Sequence, residues 1–588
     1  MTPFLSQNGD PQHQAADPRA SAFVSANAGA GKTTTLVSRV ARLLLAGAPP
    51  SAILCVTYTK AAAAEMQRRL FDRLGGWAVM QDAELAQALA DLGEAGQDLP
   101  RARKLFAQAL ETPGGLKIQT VHAFCERLLR RFPLEAGIAP GFRVMEDAAA
   151  AETAAAARAT IARMVMAGAN PELSEAYSRF AIQLAFDEFE AMFATFESQR
   201  ERIAAFVRPF VETGRLEDAV GRLCGLDELR DADTVEIDAI SPPALDPAAW
   251  FRAAKALALG TGKTDQTSSV AIQQVAEAAL VGKPMLDEAR GVFFTNEGKA
   301  RDRLATKSVD GSVCDWLREE QNRLASAFEE ARAQRIASDT LQALRLGWTY
   351  ATVYEWEKAE RGALDFADLI DKSKALLAER PDAAWVLYKL DGGVDHLLID
   401  EAQDTAPDQW EIVRQLTAEF FSGDAGSDRI VERTVFAVGD EKQSIFSFQG
   451  AAPEYLRQES ERYQAMVSAS GRAFHPLRMT DSWRSTPQVL AYVDQVFRPP
   501  EILEALTGDD LLEHIARRVD HGGVIDLWPL EREEAGEDRP AWDAPLDLVL
   551  EGNAWRRLAE KIAAEIKAMV ERGEAVHDPK TRALRAVG

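Results

Sequence analysis

The chain has 588 residues, with 67 Lys and Arg against 91 Asp and Glu, for a formal net charge of −24. One hydrophobic core rarely grows past about 250–300 residues, so several domains are expected. A hydrophobic fraction of 47% with 27% charged residues excludes a largely disordered or collagen-like chain. Acidity taken as a whole also speaks against a nucleic-acid partner, because phosphate binding runs on clustered Lys and Arg. The charge is unevenly spread, however: residues 1–140 hold 15 basic and 12 acidic side chains, whereas residues 501–551 hold 4 and 15. Net charge therefore leaves DNA open as a partner.

The four cysteines, Cys55, Cys125, Cys224 and Cys314, have no CxxC spacing, which argues against a disulfide framework, a zinc site or an iron–sulfur cluster and fits a reducing cytoplasm. The first twenty residues have neither a basic nor an apolar segment of the export type, and no apolar stretch of about 18 residues occurs, so neither an export signal nor a membrane span is expected.

In chain order, Ser21 to Ser25 is a short apolar run that leads into a glycine-rich loop. Leu36, Val37, Val40, Leu43 and Leu44 then recur at helical spacing up to a stop at Gly47. Ile53 to Tyr58 leads into Thr59 and Lys60, and Lys117 to Gln119 leads into Thr120 and His122. From about Phe132 to Ala359 the sequence is alanine-rich and helical, with a tract from Ala148 to Ala157 read as plain helix and a proline break at Ser241 to Pro247. Leu397 to Ile399 leads into Asp400 and Glu401, Val435 to Val438 leads into Gly439 and Asp440, and a last helix is expected at Trp555 to Arg572. Each apolar run suits a buried strand, and helical patterns intervene. The fold class is therefore α/β with a parallel doubly wound sheet, whose ligands sit at the carboxyl ends of the strands where these polar residues fall.

Ala26-Asn27-Ala28-Gly29-Ala30-Gly31-Lys32-Thr33 fits a phosphate-binding loop with Ala in place of the first Gly. Small residues let backbone N–H groups wrap phosphates, Lys32 reaches the β- and γ-phosphates, and the Thr33 hydroxyl ligates Mg²⁺. A similar segment, Gly260 to Thr264, follows a helical stretch, runs into polar residues, and is read as a surface loop. Asp400-Glu401-Ala402-Gln403-Asp404-Thr405 follows an apolar strand: Asp400 can hold Mg²⁺ and Glu401 can polarise a water for attack on a γ-phosphate. Thr59 and Lys60 open a helix and suit a backbone phosphate. Tyr58, Phe124, Phe446 and Phe448 lie beside polar motif residues, either as a platform for stacked bases or, for Phe124 and Phe448 equally, as core. His122 has no Cys or His partner at ligand spacing, so a hydrogen bond to a DNA backbone is preferred to a metal.

Six segments in this order, Ala26 to Thr33, Thr57 to Met66, Thr120 to Phe124, Asp400 to Thr405, Val438 to Phe446 and Trp483 to Ser485, resemble the motifs of superfamily 1A helicases of the UvrD/Rep type. The resemblance is greatest to the AddA branch, helicase–nuclease subunits of bacterial double-strand-break repair, through Ser25 to Thr33, the alanines from Ala61 to Ala64, Gly362 to Leu369 and Gln449. It implies ATP with Mg²⁺, held by Ala26, Asn27, Ala28, Gly29, Ala30, Gly31, Lys32, Thr33 and Thr34, with Gln14 at the adenine. Gln443 would sense the γ-phosphate and Arg484 would fork onto it, while Tyr58, Thr59, Lys60, Thr120, His122, Phe124, Phe446 and Phe448 would meet DNA.

The resemblance further implies 3′-to-5′ movement on DNA, single strands and duplex ends as substrates, and a partner of the AddB type. The implied architecture is a RecA-like domain of residues 1–133 and 360–455, a helical insertion of residues 134–359, and the start of a second RecA-like domain at residues 456–588. That second domain is expected to be incomplete and the nuclease domain absent, because no further helicase motif follows Arg484. The alternatives are a non-catalytic ATP- and DNA-binding portion, or a UvrD-like repair helicase outside the AddA branch.

Overall fold

The computed structural model describes residues 10–112, 115–168, 170–391, 393–421, 432–444, 452, 454–507, 514–532, 554–577 and 584–586. The chain divides into two units, residues 1–120, 391–410 and 417–588 in one and residues 121–390 and 411–416 in the other.

The first unit is built on six parallel strands: β1 (Ser21–Ala26), β2 (Ile53–Thr57), β3 (Lys117–Thr120), β4 (His396–Ile399), β5 (Thr434–Gly439) and β6 (Phe474–Met479). Their order across the sheet is β3-β2-β4-β5-β1-β6. The five apolar runs evident in the sequence are the first five strands. Strands β2, β4 and β5 are buried along their whole length. A parallel sheet covered on both faces demands this, which is why these runs are continuous rather than alternating. Three helices frame the edge of interest, α1 (Pro11–Ala15), α2 (Lys32–Ala46) and α3 (Lys60–Val79). Helix α2 buries Leu36, Val37, Val40, Leu43 and Leu44 in the core. It stops where Gly47, at φ 105°, turns its N–H back to the carbonyls of Leu43 and Leu44.

Two expected boundaries are corrected. Strand β6 falls within residues 456–588, assigned above to a second domain, yet it pairs along β1 from Ser21↔Phe474 to Ala26↔Met479 and completes the first sheet. Beyond it, the described residues form only two-stranded pairings, Asp481–Ser482 with Ile515–Ala516 and Ala575–His577 with Leu584–Ala586, together with helical segments that include Ala554–Glu571. Residues 121–133 and 360–390, assigned above to the ATP-binding domain, group instead with the helical unit.

That second unit is organised by one helix of 50 residues, Gly311–Glu360, about 75 Å long at 1.5 Å per residue. A helix of this length holds its shape by packing rather than by propensity. Trp250, Ile272, Phe293 and Leu324 make one core near its start, and Ile161, Phe193, Leu346 and Tyr350 another near its end. The alanine tract lies in the helix Asp147–Met166, with Ala154 and Ala157 in that second core. No helix among the described residues is long and apolar enough to cross a membrane.

A charged cluster closes the end of the long helix. Lys358 is 1% exposed and donates to Asp365 Oδ2 at 3.1 Å and Asp368 Oδ2 at 2.6 Å. Asp365 and Asp368 also cap each other's backbone N–H at the start of the helix Phe366–Ala378, and Arg200 clasps both oxygens of Asp365 at 2.8 and 2.7 Å. Removing the cation would leave the two carboxylates short of a buried partner. Lys358→Met is expected to lower stability by about 3–5 kcal/mol, against about 0.5 kcal/mol or less for Arg332→Met on the exposed surface, both read from urea denaturation of the full chain.

Candidate active site

The phosphate-binding loop leaves β1 at Ala26 and enters α2 at Lys32. Gly29 (φ 76°) and Gly31 (φ 88°) take left-handed conformations that a side chain would strain. Helix α2 begins with no side-chain cap and no acidic residue in its first turn, so its N–H groups and positive end face the loop unopposed. The similar segment at Gly260 to Thr264 shows the contrast. There the carboxylate of Asp265, 0% exposed, accepts from the N–H groups of Gly262 at 3.2 Å and Thr306 at 2.7 Å. A Cβ on Gly260 would stand 2.6 Å from Asp265 Oδ2, so protein already fills the space a phosphate would need.

The true loop is packed from both sides. A Cβ on Gly29 would stand 2.7 Å from Arg484 Cβ and 2.9 Å from Ser482 Oγ, and Trp483 N–H donates to Gly29 O at 2.9 Å. The fold therefore brings Arg484, itself exposed, against the loop. On the other side Gln12 Nε2 donates to Ala30 O at 2.7 Å and would stand 3.0 Å from a Cβ on Gly31. This corrects the expectation for Gln14. Two residues further on a helix is a rotation of about 200°, so Gln14 does not share the face that Gln12 presents to the loop.

Strands β4 and β5 supply the remaining groups. Lys32 Nζ lies 2.6 Å from Glu401 Oε2. Gln403 donates through Nε2 to Glu401 Oε2 at 2.9 Å and accepts through Oε1 from Asp440 N–H at 2.9 Å. Asp440 Oδ2 in turn accepts from Gln443 Nε2 at 2.7 Å, so a chain of polar contacts runs from Lys32 to Gln443. Gly439 makes room for it, since a Cβ there would stand 2.6 Å from Gln403 Oε1. Glu401 has φ 51°, the one described non-glycine residue at positive φ, a strain of about 1–3 kcal/mol held at the carboxylate nearest the lysine. Sequence reasoning assigns no role to Gln403, because a glutamine between acidic residues carries no spacing signal of its own.

Asp400 is 7% exposed at the tip of β4. Burial, reinforced by the charge of Glu401 and opposed by Lys32, pushes its carboxyl up to about 6. Paired carboxylates that resist joint ionisation, with the Thr33 hydroxyl at the start of α2, are hard oxygen donors that fit a divalent cation such as Mg²⁺. Because the folded state holds this proton more tightly than the unfolded chain, ionised Asp400 disfavours the fold above about pH 6 and not near pH 4, by about 3 kcal/mol. Asp400→Asn in EDTA is therefore expected to melt above the unaltered protein at pH 8, with the gap closing towards pH 4, in thermal melts across that range.

Of the expected DNA contacts, Thr59 caps α3 by accepting from Ala62 N–H at 3.0 Å, and Lys60, exposed, is the first residue of that helix. Thr120 ends β3 in register with Thr57, so Tyr58 to Lys60 and Thr120 leave adjacent strand ends. Tyr58 is half-buried, and burial together with the Asp404 charge raises its phenol, which stays protonated. In the second unit, His122 sets its ring edge-on to Phe366 at 5.3 Å, and burial lowers its pKa so that the ring is neutral near pH 7. Phe124 is partly buried against the core of Cys125, Leu128 and Leu129, which favours the core over the platform among its two readings. Phe446 and Phe448 lie outside the described residues.

Residues 8–464 match the model of the UvrD/REP helicase N-terminal domain. Among curated proteins, the chain is 24% identical to the AddA-type ATP-dependent helicase/nuclease protein of Latilactobacillus sakei subsp. sakei (strain 23K), over 96% of this chain and 63% of that protein. It is 25% identical to the protein of that name from Exiguobacterium sibiricum, over 89% and 42%, and 23% identical to that from Desulforamulus reducens, over 95% and 45%. The chain thus spans about two fifths to three fifths of the length of these relatives. With a parallel sheet bearing the loop of Lys32 opposite Asp400 and Glu401, and a family match over most of its length, the chain belongs to the UvrD/REP helicase family.

Proposed function

We propose that the chain is the ATP-driven motor portion of an AddA-type DNA helicase acting in double-strand-break repair in the cytoplasm, moving 3′ to 5′ on single strands entered from duplex ends. An AddB-type protein is its proposed partner. The observation that carries the reading is the 2.6 Å contact of Lys32 with Glu401 beside buried Asp400, which unites the two halves of a nucleotide site.

In this reading Ala26 to Thr34 wrap the phosphates with backbone N–H groups, Thr33 and Asp400 hold Mg²⁺, and Gln12, in place of Gln14, meets the adenine. Bound Mg²⁺ supplies charge neutralisation at the phosphate oxygens. Lys32 now spends its charge on Glu401. When it turns to the β- and γ-phosphates, the Glu401 carboxylate is released to accept the proton of the attacking water, so nucleotide binding itself frees the base. Gln443, at the end of the contact chain through Asp440 and Gln403, senses the γ-phosphate, and Arg484 beside Gly29 forks onto it. DNA lies along Tyr58, Thr59, Lys60, Thr120, His122, Phe124, Phe446 and Phe448.

DNA-stimulated ATP hydrolysis by the full chain tests the assignment. Lys32→Ala is expected to lose nucleotide binding and turnover together, while Glu401→Gln keeps binding and loses about 10²–10⁴ in rate, the usual worth of a general base. Hydrolysis at the unaltered rate in either variant overturns it.

A further inference from the structure

We infer that Arg39, assisted by Arg42 one turn along α2, is a positioning residue for nucleotide recognition and acts through Gln12; this rests on the reading of the site as an ATP site. Helix α1, which carries Gln12, has five residues, too few to hold a fixed shape alone. Its carbonyls are gathered by two guanidinium groups from α2. Arg39 Nη1 donates to Ala15 O at 2.8 Å and Asp17 O at 2.7 Å, and its Nη2 donates to Ala20 O at 2.5 Å and Thr434 Oγ1 at 3.2 Å. Arg42 Nη1 donates to His13 O at 3.0 Å while its Nε holds Glu94 Oε1 at 2.9 Å.

Arg39 is 0% exposed, lies 5.1 Å over the ring of Phe436 and, among the described residues, has no carboxylate within ion-pair distance. Burying a cation against carbonyls alone is unfavourable, and an apolar side chain would fill the same volume more cheaply. What the arginine alone provides is a rigid fork that reaches several acceptors at once, which the point charge of a lysine does not. Those acceptors lie three to eight residues after Gln12, so the fork sets the rotation and register of the short helix that points Gln12 at the loop. Close packing of His13 against Gly93, where a Cβ would overlap the imidazole, blocks movement on the other side.

The consequence is base recognition. Gln12 commits its Nε2 to Ala30 O, which leaves its carbonyl oxygen as the acceptor at a cavity of about 410 Å³ lined by Thr34, Thr35, Ser38, Arg73 and Trp77. An exocyclic amine of adenine donates to such an oxygen, whereas O6 of guanine opposes it. The phosphates are held by the loop and do not depend on this contact.

Calorimetric titration of the full chain with ATP, GTP and inorganic tripolyphosphate separates the parts. Gln12→Ala, Arg39→Lys and their double variant are each expected to weaken ATP about ten-fold and narrow the preference over GTP, with tripolyphosphate affinity changed less than about two-fold. The double variant should be no weaker than either single one. If Arg39→Lys weakens tripolyphosphate as much as ATP, or if the two losses add, the inference is overturned while the reading of the site stands. No change of ATP over GTP in Gln12→Ala would overturn the base contact and the inference with it, whereas loss of the phosphate site itself would appear in Lys32→Ala. Should Arg39→Lys fail to fold, Arg42→Gln, which removes one carbonyl contact, carries the same outcomes.

Discussion

The contact on which the site depends is the ion pair of Lys32 and Glu401, formed by residues 369 apart in sequence. It exists because β1 and β4 lie in one parallel sheet with β5 alone between them. All six strands end at the same edge, so the phosphate loop, the two carboxylates and the Asp440–Gln443 turn are delivered to one place without any of them being neighbours along the chain. The helical unit is spliced into the middle of this arrangement, and it can be large because adding chain between two strands costs little once the strands are paired.

The ion pair also gives the resting site its electrostatic logic. Asp400, Glu401 and Asp440 crowd three carboxylates at the strand tips, and Lys32 with Lys442 offsets them only in part. Asp400 accordingly holds its proton into the range where a carboxylate is ordinarily ionised. A site that is short of positive charge and rich in unopposed N–H groups is completed by a phosphate together with a cation, each of which relieves what the other cannot. The positive φ of Glu401 belongs to the same account: strain is retained where a group must be aimed.

The fold guards the shape of the phosphate loop from outside the motif. Gly29 accepts the chain of Ser482 to Arg484 so closely that no side chain fits, and Gly31 accepts Gln12. The loop is therefore held by one segment preceding β1 and another following β6. In the helical unit the same economy appears at Lys358, where a buried cation is shared by two aspartates that also cap each other's helix start. Both units thus place a buried cation, Arg39 in one and Lys358 in the other, where short segments must be held at a defined angle.

Much of this was legible in the sequence. Continuous apolar runs marked β1 to β5, because a strand buried on both faces has no polar side to show. Leu36 to Leu44 and Gly47 marked α2 and its end, and the chemistry of Lys32, Thr33, Asp400 and Glu401 followed from residue type and position. Only the tertiary structure decided the rest. The strand Phe474–Met479 is only partly buried along an edge and carries no signal of which sheet it joins, so its place beside β1 emerged from pairing alone. Gln12 and Gln14 are chemically identical, and the rotation of one short helix chose between them. Arg39 and Lys358 resemble surface charges in any window of sequence, because periodicity reports which face of a helix is apolar and not which distant carbonyls or carboxylates the fold will bring to meet a cation.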